Sequence, residues 1–422
     1  MALKSLANNG TGAGAAPPDN LFKGLPSGST LKNPLPVCAL SAGFMWPMAV
    51  ISDPALRNNA ALMSEVCARY GVQHAPHLKT SMSPELAELQ ADEGAWGFTV
   101  GSSSQVRTAR SWGWRRIVLA AECVDAQFLR WLGCELEADP TFEFYLFIDS
   151  VAGAQVAAQY LGNVGVRAGI LLDVGHSGGR TGVRDDDSAL AVARAIADLE
   201  LSLAGIAGYE GTVGAERTPA VTSAVSAYLR RLRTTAELLD RNGMFDPRRE
   251  SFIVSCGGST FFDLVVDELS RYWTLTRPVT TVLRSGCYLL HDHDFYASSA
   301  PTFPWGGRLQ PALEVWAQVI SRPEPGLAIL NSGRRDIGFD LGLPIPLRII
   351  DPSSTVHSIT AGTITELNDQ HAYLTIPAAQ QLSVGDLVAL GLSHPCTTMD
   401  KWRAIPVIDD ELQVIDYVRT HF

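Results

Sequence analysis

The chain has 422 residues, 46% of them apolar and 18% charged, with a formal net charge of −11. That length buries a large core and suggests two domains, and the acidic balance argues against nucleic acid as the main partner, although a few arginines and backbone amides can still hold a small anion locally. No stretch approaches the ~20 consecutive apolar residues of a membrane span, so a soluble, cytoplasmic protein is expected. The seven cysteines are odd in number and widely spaced, which does not suit a disulfide framework. Cys38, Cys67, Cys123, Cys134, Cys256 and Cys287 mostly sit among apolar neighbours and read as small core residues in a reducing compartment.

Residues 1–34 are rich in Gly, Ala, Asn and Pro, without a signal-peptide core, and read as a flexible tail. Residues 44–51 are apolar, and Asp53-Pro54 opens a helical pattern. The chain then repeats one grammar: a short apolar run, a polar or glycine-rich loop, and a longer segment at helical period. The runs predicted as strands are 72–78, 97–100, 117–120, 144–148, 168–173, 203–209, 252–255 and 280–283; helices are predicted over 125–136, 152–161, 187–199 and 221–242. These units over residues 51–290 make a parallel (β/α)8 barrel the economical fold, with a doubly wound open sheet as the alternative. From about Asp292 proline becomes frequent and short alternating runs appear, at 363–367, 371–376 and 387–392, so residues 291–422 are expected to form a second, β-rich domain.

The stretch His74-Ala-Pro-His77-Leu-Lys79-Thr80-Ser-Met-Ser83 places a lysine where an apolar run gives way to a loop. Ser83 is a good N-cap and Pro84 a good first helical residue, so the order is strand, lysine, turn, helix. On composition alone such a lysine is a solvated surface charge. His77-Leu78-Lys79-Thr80, however, resembles the pyridoxal-phosphate lysine motif of the D-serine dehydratase and D-threonine aldolase family, whose barrel is that of alanine racemase. The resemblance extends from about Ile51 to Asp400 and implies that Lys79 holds the cofactor covalently. It also implies that residues 35–50 join the C-terminal β domain and that the protein is a homodimer. His74 and His77 flank the lysine and either tune it or pack beside it.

Beyond the seventh predicted strand, Ser255-Cys256-Gly257-Gly258-Ser259-Thr260 precedes a plausible helix. Glycines permit close backbone approach and a helix N-terminus favours an anion, so Gly257, Gly258, Ser259 and Thr260 are the expected phosphate loop. Asp173-Val-Gly-His-Ser-Gly-Gly-Arg180-Thr-Gly182 is similar to a family segment whose arginine reaches the cofactor ring, which makes Arg180 the first candidate for that role. Arg284, in the racemase-like segment Arg284-Ser-Gly-Cys-Tyr288, is the second, with Tyr288 also placed at the cofactor. An arginine beside the pyridine nitrogen, unable to lose its proton, limits electron withdrawal into the ring. Tyr209 ends the sixth predicted strand where the family carries a tyrosine in the cofactor pocket.

Ser393-His394-Pro395-Cys396 follows a turn and strand in the β-rich part. In an extended segment His394 and Cys396 point to the same side, and a thiolate selects zinc over harder ions. The D-serine dehydratase branch carries His-x-Cys here as a zinc pair, whereas D-threonine aldolases carry His-x-Asp. The resemblance therefore implies a D-amino acid deaminase: Lys79 removes the α-proton, and zinc on His394 and Cys396 helps expel the β-hydroxyl of a D-3-hydroxy amino acid, giving a 2-oxo acid and ammonia. The alternative is retro-aldol cleavage to glycine and an aldehyde. A cofactor-binding protein without catalysis is a further reading, which His394 and Cys396 speak against. The segment Asn331-Ser-Gly-Arg334-Arg335-Asp336 suggests recognition of a second carboxylate, as in a 3-hydroxyaspartate, or ordinary ion pairs.

Overall fold

The computed structural model describes residues 22–26, 37–40, 43–303, 305–359 and 361–422. Most of the tail expected over 1–34 lies outside the described residues. Within it, Leu25 is buried and Lys23 pairs with Asp336 at 2.8 Å.

Eight parallel strands form one sheet: β1 Gln73–His74, β2 Phe98–Val100, β3 Arg116–Glu122, β4 Glu143–Ile148, β5 Gly169–Val174, β6 Ser202–Gly208, β7 Phe252–Ser255 and β8 Val279–Leu283. From β3 onward each pairs with its predecessor, and β8 returns to β1 with Leu283 opposite His74. The ring closes between β1 and β2 through a His77–Thr99 bridge and the Trp96 N–H donating to the His74 carbonyl at 2.7 Å. This is the barrel; the open doubly wound sheet is excluded. Its interior is filled by Ala75, Val118, Phe147, Leu171, Ala207 and Val282, alternate inward residues of successive strands.

The intervening helices begin where side chains can cap them. Ser83 accepts from the Leu86 N–H ahead of Pro84–Asp92, Asp125 from Gln127 and Phe128 ahead of Ala126–Ala138, and Asp185 closes a capping box with Ser188 ahead of Asp186–Asp198. The first predicted strand departs most from expectation. Only Gln73–His74 is paired as strand, because Pro76 has no N–H to donate and the His77 side chain takes the Lys79 N–H, winding Leu78–Thr80 into a single 3-10 turn.

The second unit is a mostly antiparallel 11-stranded sheet. Its long strand Leu313–Glu324 pairs with Met48–Ser52, Leu327–Leu330 and Leu387–Gly391, and Val37–Cys38 pairs with Gln413–Arg419. One buried cluster runs from barrel residues such as Leu283 to Val315 and Leu390 of this sheet, so the two units share a core. The end of the chain also reaches the lysine region: the His421 N–H donates to the Met82 carbonyl and Arg419 pairs with Glu85 at 2.5 Å. Among the described residues no helix is long and apolar enough to cross a membrane.

Candidate active site

Lys79, Glu122, Asp149, Asp173, Tyr209, Ser255 and Arg284 all lie at or just past the carboxyl ends of barrel strands, the end where barrels place their chemistry. Lys79 is exposed, while Leu78 and Thr80 on either side are buried. Its Nζ has no hydrogen-bond or ion-pair partner among the described residues. Positive charge gathers there: His77 is pushed well below its ordinary pKa by burial and then by Lys79, Arg284 and Arg180, and so is neutral. His74 is driven down to about 4 by burial, and its Nε2 lies 3.0 Å from the Ser285 carbonyl.

Arg284 is buried, and its partners are neutral oxygens: NH1 donates to Ser255 Oγ at 2.7 Å and NH2 to the Gly208 carbonyl at 2.6 Å. A buried guanidinium without a carboxylate is costly unless another group shares its charge. Arg180 is exposed and lies 5.4 Å from the ring of Tyr209. Tyr209 is 38% exposed and covers Gly258, where an added Cβ would come within 2.8 Å of its ring. Burial, and next the adjacent Glu210, raise its phenol to about 12.

The loop after β7 differs from expectation in one respect. Glu210, fully buried, accepts from the Gly257 N–H at 3.1 Å, the Gly258 N–H at 2.5 Å and the Cys256 thiol at 3.1 Å. Two of the amides read as anion donors are thus held by a carboxylate of the chain itself. The backbone N–H groups of Ser259 and Thr260 have no acceptor among the described residues, and neither do those of Gly286 and Cys287 in the turn after β8. The Gly286 backbone presses on the lysine turn so closely that an added Cβ would lie 2.4 Å from the His77 carbonyl. Unclaimed amides on two neighbouring turns, a free amine and a buried arginine fit a phosphorylated aromatic aldehyde. Tyr288 does not join them: its hydroxyl accepts from Gln90 at 2.9 Å and its ring meets that of His74, lining a separate cavity of roughly 310 Å³ with Cys67 and Gln90.

His394 precedes the one-turn helix Pro395–Met399 without a side-chain capping bond, and its Nδ1 lies 2.7 Å from Asp340 Oδ2. Against the effect of burial, hydrogen bonds from Thr397 and His394 hold Asp340 below the usual carboxylate range, so the anion fixes the imidazole and leaves Nε2 to face elsewhere. Cys396 reaches back to the barrel: its Sγ is 3.4 Å from Thr80 Oγ1, next to Lys79, and 3.2 Å from Cys287 Sγ. Burial, and then the nearby sulfurs of Cys287 and Cys396, raise the Tyr296 phenol and keep it protonated. No group of three or more His, Cys, Asp or Glu side chains gathers for a metal among the described residues, so His394 and Cys396 offer at most two donors of an open site. Arg335 pairs with Asp369 at 3.3 Å and Arg334 lies over Phe339, so the basic segment is engaged in local contacts.

Glu122, just inside the end of β3, accepts from Ser150 Oγ at 3.1 Å beside Asp149, which follows β4. Burial first, then Asp149, raises Glu122 to about 7. The folded chain therefore binds this proton more tightly than the unfolded chain, and the associated stability, present below the ordinary carboxylate pKa, is lost as pH rises toward about 7. Glu122→Gln, which mimics the protonated acid, is expected to raise the melting temperature at pH 8 and change it little at pH 5; the reverse order would contradict the assignment.

A cysteine from a β-rich domain, brought against the residue after a lysine at a barrel mouth, points to a barrel enzyme of the alanine-racemase type. Residues 51–278 match the family described as "Alanine racemase, N-terminal domain" and residues 312–408 match "Putative serine dehydratase domain". The chain belongs to this family of pyridoxal-phosphate-dependent enzymes. It is 26% identical over 376 residues to a D-threonine aldolase of Arthrobacter sp, covering 86% of this chain and 91% of that one. It is 30% identical over 311 residues to the D-threo-3-hydroxyaspartate dehydratase of Delftia sp. (strain HT23), covering 70% and 73%. Among solved structures, D-threonine aldolase from Filomicrobium marinum superposes with a TM-score of 0.76 at 19% identity over 92% of this chain and 96% of that one. A cysteine-to-alanine variant of D-threo-3-hydroxyaspartate dehydratase in its metal-free form superposes with a TM-score of 0.72 at 24% identity over 92% and 100%.

Proposed function

We propose that this chain is a lyase of D-3-hydroxy amino acids, and that it works as a dehydratase, converting a substrate such as D-serine to a 2-oxo acid and ammonia. The observation that carries the reading is the approach of Cys396, from the β-rich domain, to within 3.4 Å of Thr80, the residue after Lys79. Pyridoxal phosphate, when bound, supplies an electron sink for charge developing at the substrate α-carbon. Lys79 holds it covalently and, once released, its amine moves the α-proton. The Ser259, Thr260, Gly286 and Cys287 amides hold the phosphate. Arg284 is the better placed partner for the ring nitrogen, since it is buried without a carboxylate whereas Arg180 is exposed. Tyr209 covers one side of the pocket.

Zinc on His394 and Cys396 supplies Lewis acidity at the β-hydroxyl, and a protein thiolate favours that soft ion. A relative studied both as a cysteine variant and metal-free is consistent with such use. Asp340 orients His394, so Asp340→Asn is expected to lower zinc affinity roughly 10–100-fold, measured by competition with a chromogenic chelator; unchanged affinity would remove Asp340 from the site. A soluble cytoplasmic homodimer is part of the same reading. Retro-aldol cleavage is the second reading, favoured by the long alignment with the D-threonine aldolase. The test is incubation of cofactor- and zinc-loaded protein with D-serine and L-serine. Pyruvate and ammonia from the D enantiomer alone support dehydration; glycine and formaldehyde support the aldolase; no reaction with either refutes the assignment to D-serine.

A further inference from the structure

Among the described residues, Cys287 and Cys396 make the one sulfur–sulfur contact, at 3.2 Å across 109 residues of sequence. Cys38, Cys67, Cys123, Cys134 and Cys256 touch no second sulfur. We propose that Cys287 and Cys396 are a redox pair: mild oxidation joins them in a disulfide that ties the turn after β8 to the β-rich domain beside Lys79.

The geometry favours this product over oxidation of isolated thiols. A disulfide holds its sulfurs about 2.05 Å apart, so the pair closes by roughly 1.2 Å, within reach of side-chain torsion and small shifts of two turns. Both residues sit on such turns, Cys287 just past β8 and Cys396 in the one-turn helix Pro395–Met399, rather than in a strand whose ladder would resist movement. Their shared remaining partner, Thr80 Oγ1 at 3.5 Å from Cys287 and 3.4 Å from Cys396, does not compete for the oxidised sulfur. Cys287 is 7% exposed, whereas Cys396 is only partly buried, so a small peroxide meets Cys396 first.

The chemistry balances with a peroxide as oxidant. The Cys396 sulfur attacks one peroxide oxygen, the O–O bond breaks, and sulfenic acid and water form. The Cys287 sulfur then attacks the Cys396 sulfur, the S–O bond breaks, and the hydroxide leaves as a second water with the thiol proton. Two thiols are oxidised and one peroxide is reduced. A dithiol reductant reverses the reaction by exchange. The functional consequence rests on the proposed metal role of Cys396: a sulfur in a disulfide is no longer a thiolate ligand, so oxidation switches the enzyme off reversibly.

The experiment treats the full-length, cofactor-loaded protein with hydrogen peroxide at a few equivalents, alkylates the remaining thiols, and maps peptides without reduction. The expected result is a peptide pair linking Cys287 to Cys396, lighter by two hydrogens and abolished by dithiothreitol, with the other cysteines alkylated. Cys287→Ser is expected to remove the link and leave Cys396 as sulfenic or sulfinic acid. Alkylation of both cysteines in the treated wild-type chain, or sulfinic acid at Cys396 without a link, would overturn the proposal. Should the link form while D-serine turnover persists, the redox pair stands and the metal role of Cys396 fails.

Discussion

Lys79→Ala is expected to lower turnover by at least ~10³-fold, within the range a positioned acid–base group supplies, and to abolish the yellow colour of the cofactor-loaded protein. Both effects follow from the double role proposed for one side chain, as the cofactor's covalent anchor and as the amine that moves the α-proton. The structure makes the variant interpretable. Lys79 is exposed and its Nζ has no partner among the described residues, so truncation leaves no buried group unsatisfied there; the turn is held instead by the His77 side chain accepting the Lys79 backbone N–H, which alanine retains. The variant is therefore expected to melt close to the wild type. Added methylamine is expected to restore part of the turnover by standing in for the lost amine, an effect that a merely structural lysine would not show. A colourless but fully active variant would contradict the assignment.

The second large effect is expected at Cys396. Cys396→Ala removes the proposed soft donor, and the expected loss of Lewis acidity, worth several kcal/mol, corresponds to roughly 10²–10⁴-fold in turnover. Zinc content measured on the purified variant should fall in step, while the cofactor colour, which depends on Lys79, should remain. That separation matters because Cys396 also touches Thr80 and Cys287. If the residue served only to pack the interface, melting temperature would fall and zinc content would not. Chelation of the wild-type protein is expected to reproduce the loss, and zinc to reverse it.

The barrel was legible in the sequence because its strands are short apolar runs bounded by loops and separated by capped helices. The run predicted over 252–255 coincides with β7, and Asp125 and Ser83 cap the helices that follow them. Where the reading overreached, at 72–78, hydrophobicity continued but hydrogen bonding did not: Pro76 and the His77 side chain end the strand early. The lysine and the His-x-Cys pair can be singled out in the sequence because each sits in one short segment. Their surroundings were not. Glu210 reaches the Gly257 amide across 47 residues, Asp340 reaches His394 across 54, and Cys287 meets Cys396 across 109. No local periodicity records such pairings. Tyr288 looked like a pocket residue from its motif, yet its phenol turns to Gln90, because a buried hydroxyl takes whatever partner the helix Pro84–Asp92 presents.

D-Threonine can enter either route, so identifying its carbonyl product tests the central claim most directly. With protein loaded with pyridoxal phosphate and zinc, the account predicts 2-oxobutanoate and ammonia in equal amounts. Glycine and acetaldehyde would contradict it, making the chain an aldolase and separating its His-x-Cys pair from dehydration.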